Sequence, residues 1–256
     1  MYLGSRKASG KQRLMKTFGL IGKKLGHSFS QKYFEEKFKR SGILNSRYLN
    51  FELENIDVLK SLLKTRSFSG LNVTIPYKES VIPFLDSLSD EAKTIGAVNT
   101  IAFKSGKLIG HNTDHIGFRN SIKPFLENTM DRALILGTGG AAKAVVFALE
   151  TIGLDCLMVS RHPNNNELSY ADLNEYVLKH HLLIVNTTPV GTSPNINECP
   201  KIPYNCITEN HLVVDLIYNP SESLFLKKAR EQKAVILNGK TMLIQQAEEA
   251  WSIWNS

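Results

Sequence analysis

Cysteine is scarce in this chain: Cys156, Cys199 and Cys206 are the only three in 256 residues, and their uneven spacing excludes a disulfide framework. None forms a pair with the short spacing of a zinc knuckle, so no metal centre is expected and reduced thiols in a cytoplasmic setting are the simplest account. Long apolar runs are also missing. No stretch approaches the roughly 20 residues that a bilayer span requires, which reads as a soluble protein without a membrane partner. Acidic residues are absent from the opening "MYLGSRKASGKQRLMK", which holds Arg6, Lys7, Lys11, Arg13 and Lys16. Four of those charges lie in residues 1 to 14, so taking them from the net +7 leaves +3. That remainder suits a small anionic ligand and does not mark a nucleic-acid partner. The tail lacks the apolar stretch of a secretory signal and is read as a basic N-terminal extension over residues 1–15, with Met15 an alternative start and an organellar transit peptide the less favoured alternative.

What is present is an alternation of strand and helix patterns. From residue 18, "FGLIG" reads as a strand, "QKYFEEKFKRSG" as a helix closed by Gly42, "RYLNFEL" as a strand and "IDVLKSLLK" as a helix. "GLNVTIPYKES" opens as a strand in which Leu71, Val73 and Ile75 alternate until Pro76 stops the ladder. Strands separated by helices imply right-handed crossovers and a largely parallel sheet. "VNTIAFKSGKLIGHN" breaks the rhythm as a hairpin turning at Ser105 and Gly106, and "DHIGFRNSIKPFLEN" reads as a connecting helix that Pro124 kinks. A second series of strands and helices runs from "RALILG" to "AVILNG". In the final "MLIQQAEEAWSIW", Leu243, Ala247, Ala250, Trp251 and Trp254 share one helical face that packs back on the first unit. The fold class is therefore α/β with two domains and a cleft between them. Residues 16–113 and 240–256 are assigned to one domain with a mostly parallel sheet, and residues 114–239 to a Rossmann-type domain.

The most specific local signal is "ALILGTGGAAKAVVFALETIG". An apolar strand runs into Gly137, Gly139 and Ala142, which fit G-x-G-x-x-A, and the following helix buries Val145, Ala148, Leu149 and Ile152. Gly137 allows the tight turn, Gly139 lets the backbone approach a pyrophosphate, and Ala142 keeps helix and strand close. The helix start supplies free N–H groups for phosphate. An NAD site carries an acid about 20 residues later, at the end of the next strand. Here Ser160 and Arg161 stand there, which favours NADP through pairing of the guanidinium with a 2′-phosphate; otherwise Arg161 is a surface arginine closing a strand.

Three polar clusters accompany the first series. "GHSFSQ" follows the first strand and opens a helix, so Ser28 and Ser30 either cap that helix or hold a carboxylate at its N-terminus. "VNT" brings Asn99 to a strand start, and "GHNTDHIG" brings Asp114 to a helix start, as a cap or as a functional acid. By local sequence alone Lys78 is a solvated lysine past a strand end. Ligands of a parallel α/β domain, however, sit outside the carboxyl ends of the strands, where Ser28, Ser30, Asn72, Thr74 and Lys78 all fall.

"HSFS", "NVTIPYK", "GAVNT", "HNTDHIG", "LGTGGAAKA", "VSR", "NTTPVG", "DLIYNP" and "ML" followed by "QQA" resemble, in order and spacing, the shikimate dehydrogenase family over residues 17 to 254. The resemblance implies an N-terminal substrate domain, a Rossmann-type NADP-binding domain, and NADPH-dependent reduction of 3-dehydroshikimate to shikimate. It implies a monomer or homodimer whose partner is that small anionic substrate. It makes Lys78 and Asp114 the catalytic pair, gives Ser28 and Ser30 the substrate carboxylate, and directs Asn72, Thr74, Asn99, Asp114, Tyr218 and Gln246 to its hydroxyls or ring. Gly137, Gly139, Gly140, Ala141, Ser160, Arg161 and Thr187 would bind the cofactor, with Ile217, Gly239 and Met242 near the nicotinamide. This chain departs from the family pattern in several places. Lys24 and Gln31 replace common prolines, changes that touch loop stiffness more than chemistry. Ser160–Arg161–His162 replaces asparagine–arginine–threonine and a second arginine gives way within "PNNN". Lys240 and Thr241 replace small or apolar residues. The alternatives are a quinate/shikimate dehydrogenase with looser substrate or cofactor choice, and a catalytically silent dinucleotide-binding regulator, which has no need of both Lys78 and Asp114.

Overall fold

The computed structural model describes residues 14–26 and 28–256; most of the basic N-terminal extension, residues 1–13, and His27 lie outside the described residues. The first half contains β1 (Lys16–Gly22), α1 (Phe29–Arg40), β2 (Ser46–Glu52), α2 (Val58–Thr65), β3 (Gly70–Val73), β4 (Ser87–Leu88), α3 (Asp90–Ile95), β5 (Thr100–Lys104) and β6 (Lys107–His111). These strands form a six-stranded sheet in the order β2-β1-β3-β5-β6-β4. β1 pairs in parallel with β2 and β3, while β5 runs antiparallel to both β3 and β6. The β5–β6 turn places Ser105 at φ 50° and Gly106 at φ 77°, the left-handed pair that matches hairpin twist.

The second half contains α4 (Asp114–Ile122), β7 (Arg132–Leu136), α5 (Gly140–Glu150), β8 (Asp155–Ser160), β9 (Glu167–Ser169), α6 (Glu175–Lys179), β10 (Leu183–Asn186), β11 (Leu212–Asp215), α7 (Leu224–Glu231), β12 (Val235–Asn238) and α8 (Lys240–Asn255). Its parallel sheet has the order β12-β11-β10-β7-β8-β9, so the strand order reverses between β7 and β10. That reversal is the switch point where such sheets open a ligand crevice. β7, β10 and β11 are almost continuously apolar because helices cover both faces. Phe118, Val145, Leu149 and Met242 pack on one side, and Leu178, Phe225 and Leu226 on the other.

Two helices join the halves. α8 buries Met242 in the core of the second sheet, while Ala247, Trp251 and Trp254 pack with Phe18, Phe34 and Tyr48 of the first. α4 lies directly against α8, and Gly117 permits it: a Cβ there would stand 2.7 Å from the Met242 carbonyl oxygen and 2.9 Å from the Gln246 nitrogen.

Several local expectations change. β3 ends at Val73, and Ile75, expected to continue its buried alternation, is 64% exposed. α5 ends at Glu150, so Ile152, expected on its buried face, lies in the following turn and is exposed. α4 stops at Ile122 and tightens into a 3₁₀ turn over Lys123–Phe125, so Pro124 sits in the first turn of a new element instead of kinking a continuous helix. β4, α3 and β9 are too short to show a period in the sequence.

Candidate active site

Asp114 is the first residue of α4, yet its carboxylate does not cap the helix. Asn112 does that work, its Oδ1 accepting the N–H groups of Asp114 at 3.0 Å and His115 at 3.4 Å. The Asp114 carboxylate is thereby left for side chains: Oδ2 accepts from Lys78 Nζ at 2.6 Å and Oδ1 from Asn99 Nδ2 at 2.9 Å. Lys78 reaches it because the chain turns sharply after β3. The Tyr77 N–H donates to the Thr74 carbonyl, the buried Tyr77 ring anchors the turn by donating its hydroxyl to the Leu53 carbonyl at 2.6 Å, and the Val98 N–H holds the Lys78 carbonyl at 2.7 Å. The Lys78 and Asp114 side chains are only 15% and 8% exposed, so the pair is screened far less than a surface ion pair.

Beneath the pair lies a buried amide lattice. Asn99 Oδ1 accepts the Thr113 N–H at 2.7 Å. Asn72 receives the Tyr48 hydroxyl at 2.8 Å and donates to the Asn99 carbonyl and to Thr100 Oγ1. Gln246 of α8 accepts from Asn99 at 3.4 Å and donates to the Leu243 carbonyl. Leaving any such buried amide unpaired costs about 1–3 kcal/mol, so the lattice holds these groups in one arrangement.

The pair and its lattice form one wall of a cavity of about 250 Å³ at the carboxyl ends of β1 and β3. Ser28 and Ser30, at the start of α1, line the same cavity with Thr74 and Tyr218. Ser28 is also the helix cap, accepting the Gln31 N–H at 3.3 Å. α1 is pinned to α8 because Glu248 accepts from the Tyr33 hydroxyl and from Lys37 Nζ. Tyr218 comes from the loop after β11, its ring edge-on to Phe29 at a centroid distance of 5.6 Å, and burial raises its phenol pKa. Lys24 and Leu243 line the same cavity. Leu243, which helical spacing puts on the packing face of α8, turns toward the cleft because Met242, Gln246 and Ala250 occupy the buried side.

The glycine turn lies beside the ion pair. Gly137 has φ +109°, and a Cβ there would lie 2.8 Å from Thr187 Oγ1, so geometry and space both require glycine. A Cβ on Gly139 would meet nothing within 4 Å, which leaves the backbone at the α5 N-terminus open to a phosphate group. Gly140 sits against Lys78, its notional Cβ 3.3 Å from the lysine Cβ, so the turn adjoins the ion pair; Ala141 follows it and Ala142 is fully buried. Thr187 donates to the Leu136 carbonyl at 2.7 Å and ties β10 to β7 at the switch point. Ser160 ends β8 and Arg161 follows it; the Ser160 hydroxyl accepts the His162 N–H, and Arg161 is exposed with no carboxylate partner among the described residues. Ile217 and Met242 are buried, and Gly239 lets β12 pass so close that a Cβ would fall 2.0 Å from the Leu216 carbonyl oxygen.

Two supporting residues lie inside quoted motifs that gave them no role. Asn112 is one. The other is Asp215, buried at the end of β11, which accepts from the Ile217 N–H and from Asn186 Nδ2 at 3.0 Å and from Ser223 Oγ at 2.5 Å. Burial pushes its pKa to about 6, opposed by those hydrogen bonds. An acid ending an otherwise apolar strand was the available signal.

These features define a two-domain α/β protein with a Rossmann-type half, in which a dinucleotide turn adjoins a lysine–aspartate pair at a polar cleft. A family model described as the shikimate dehydrogenase substrate binding domain matches residues 20–101. The shikimate dehydrogenase (NADP(+)) of Carboxydothermus hydrogenoformans is 39% identical over 93% of this chain and 91% of its own length. The shikimate dehydrogenase structure from Aquifex aeolicus matches with a TM-score of 0.84 at 38% identity, covering 94% of this chain and 92% of that one. The shikimate 5-dehydrogenase of Thermus thermophilus, solved with NADP(H) and shikimate, matches with a TM-score of 0.84 at 32% identity, covering 94% and 93%. The chain belongs to the shikimate dehydrogenase family.

Proposed function

We propose that this protein catalyses the reversible NADPH-dependent reduction of 3-dehydroshikimate to shikimate, in the route to aromatic amino acids. The observation that carries the reading is the 2.6 Å contact of Lys78 Nζ with Asp114 in a polar cleft directly beside the glycine turn. Carbonyl reduction leaves negative charge on oxygen and requires a proton. The Lys78 ammonium stabilises the developing alkoxide and hands over the proton; in the reverse direction Lys78 or Asp114 takes it back. Asn99 holds the Asp114 carboxylate so that both groups meet the substrate in one geometry.

Ser28 and Ser30 hold the substrate carboxylate, while Asn72, Thr74, Asn99, Tyr218 and Gln246 take its hydroxyls and ring. The cofactor supplies the hydride. Gly137, Gly139, Gly140 and Ala141 receive its pyrophosphate, Thr187 shapes the crevice, and Ile217, Gly239 and Met242 form the apolar surface for the nicotinamide. The positive φ of Gly137, the open space at Gly139 and the lack of an acid at the end of β8 fit a dinucleotide carrying a 2′-phosphate, which Ser160 and Arg161 receive. We assign residues 16–113 and 240–256 to the substrate domain and 114–239 to the cofactor domain, working in the cytoplasm. Among the described residues no helix is long and apolar enough to cross a membrane.

The test is initial-rate spectrophotometry of shikimate oxidation with NADP and with NAD, with quinate as the competing substrate. Turnover on shikimate with NADP is expected; its absence in a folded protein that binds NADP would overturn the reading.

A further inference from the structure

Lys24 lies in the loop between β1 and α1, and the structure gives it a place in the wall of the cleft. The loop after β1 is already rigid. The buried Leu25 is held on both sides of its peptide, its N–H donating to Glu52 Oε1 at 2.6 Å and its carbonyl accepting from Asn50 Nδ2 at 3.3 Å.

With Leu25 turned into the core, Lys24 lines the cleft beside Gly26, Ser28 and Ser30, whereas its neighbour Lys23 does not. The charge balance of the cavity wall then becomes informative. Among the described residues its charged members are Lys24, Lys78 and Asp114, and the last two pair with each other at 2.6 Å. Lys24 makes no salt bridge among the described residues, and the nearby Glu52 is engaged by the Leu25 N–H. Among the described residues the cleft wall thus carries one uncompensated positive charge, in the loop that leads to the two serine hydroxyls and the N-terminus of α1, both of which favour an anion.

We propose that Lys24 is a specificity-determining residue that supplies the counter-charge for the substrate carboxylate held at Ser28 and Ser30, so that this enzyme selects the anionic hydroxy acid over its uncharged analogues. The proposal rests on the activity assigned above. Lys24 lies at the exposed rim, so the contact is partly screened and its effect is moderate, roughly three- to tenfold in affinity. It acts on ground state and transition state alike, so it appears in KM and little in kcat. It also weakens with salt, because the screening length falls from about 10 Å at 0.1 M to about 3 Å at 1 M.

The experiment compares wild type, Lys24→Met, Lys24→Arg and Lys23→Met by calorimetric titration of shikimate and by steady-state kinetics on shikimate and on shikimate methyl ester, at low and high salt. Lys24→Met should raise Kd and KM for shikimate about three- to tenfold, flatten their salt dependence, and change the values for the ester less than twofold. Lys24→Arg should keep wild-type affinity, and Lys23→Met should resemble wild type. An unchanged shikimate affinity in Lys24→Met, or an equal loss for shikimate and the ester, would overturn the role of Lys24 while leaving the activity intact. Shikimate binding by wild type without turnover would overturn the assigned activity but not the charge contact, which the titrations still read; no binding at all would overturn both.

Discussion

Replacing Lys78 by methionine isolates the charge from the packing. Methionine keeps the stem that lies against Gly140 and removes only the ammonium that meets Asp114 Oδ2 at 2.6 Å. One oxygen of a carboxylate only 8% exposed loses its charged partner, while the other keeps Asn99 at 2.9 Å. Because the cleft admits water, the stability loss should sit at the lower end for broken ion pairs, about 1–3 kcal/mol. For a chain of this size that corresponds to a fall in Tm of roughly 2–10 °C. The kinetic loss should be larger. Loss of a general acid–base group lowers kcat roughly 10²- to 10⁴-fold, or about 3–5.5 kcal/mol on the barrier. Initial rates of NADPH formation from shikimate, a thermal melt and an NADPH titration on the same preparation separate these terms. The expected pattern is a folded protein whose NADPH affinity changes less than about threefold while kcat collapses. Near-normal kcat would refute the role of the lysine. A loss of NADPH binding equal to the loss of rate would mean that Lys78 merely supports the glycine turn.

The other predictions concern the cofactor half and its supports. Arg161→Ala should weaken NADPH about 10- to 100-fold and NADH much less, as judged by the ratio of their KM values; equal losses would show that the guanidinium does not meet the 2′-phosphate. Gly139→Ala meets nothing within 4 Å, so it should leave the Tm within about 2 °C yet weaken NADP binding at least about tenfold by blocking the backbone approach. Unaltered NADP titration in that variant would place the phosphates elsewhere. Asp215 has its pKa raised to about 6, so its stabilising contribution is complete below the unfolded carboxylate value of about 3.9 and is lost as pH rises through about 6. Denaturant unfolding of wild type and Asp215→Asn at pH 4 and pH 7.5 should therefore show wild type losing about 2–3 kcal/mol relative to the variant as pH rises; parallel pH profiles would refute the shifted pKa.

Much of the architecture was legible along the chain because strand and helix periods are local. The apolar run ending at Gly137 and the helix beyond it appear as read, since a strand buried on both faces and a left-handed glycine leave a direct trace in residue type. The same local rules failed at Ile75 and Ile152, where an apolar residue continued a period past the point at which the backbone turned. They were also silent about Asn112 and Asp215, whose importance lies in whose N–H groups they accept.

By itself the sequence determined the alternating α/β order, the phosphate-binding turn, the missing acid at the end of β8 and the set of polar residues following strand ends. Only the tertiary structure decided which of those residues meet. Lys78 and Asp114 are 36 positions apart and touch because β3 and β6 both pair with β5 in one sheet while Asn112 takes over the helix cap. Gln246 joins the lattice from 147 residues beyond Asn99 because Gly117 lets α8 lie against α4. Lys24 gained its meaning in the same way. A lysine in a loop carries no placement in its sequence, and Lys24 joined the cleft wall, without a salt bridge among the described residues, only when the burial of Leu25 fixed the loop around it.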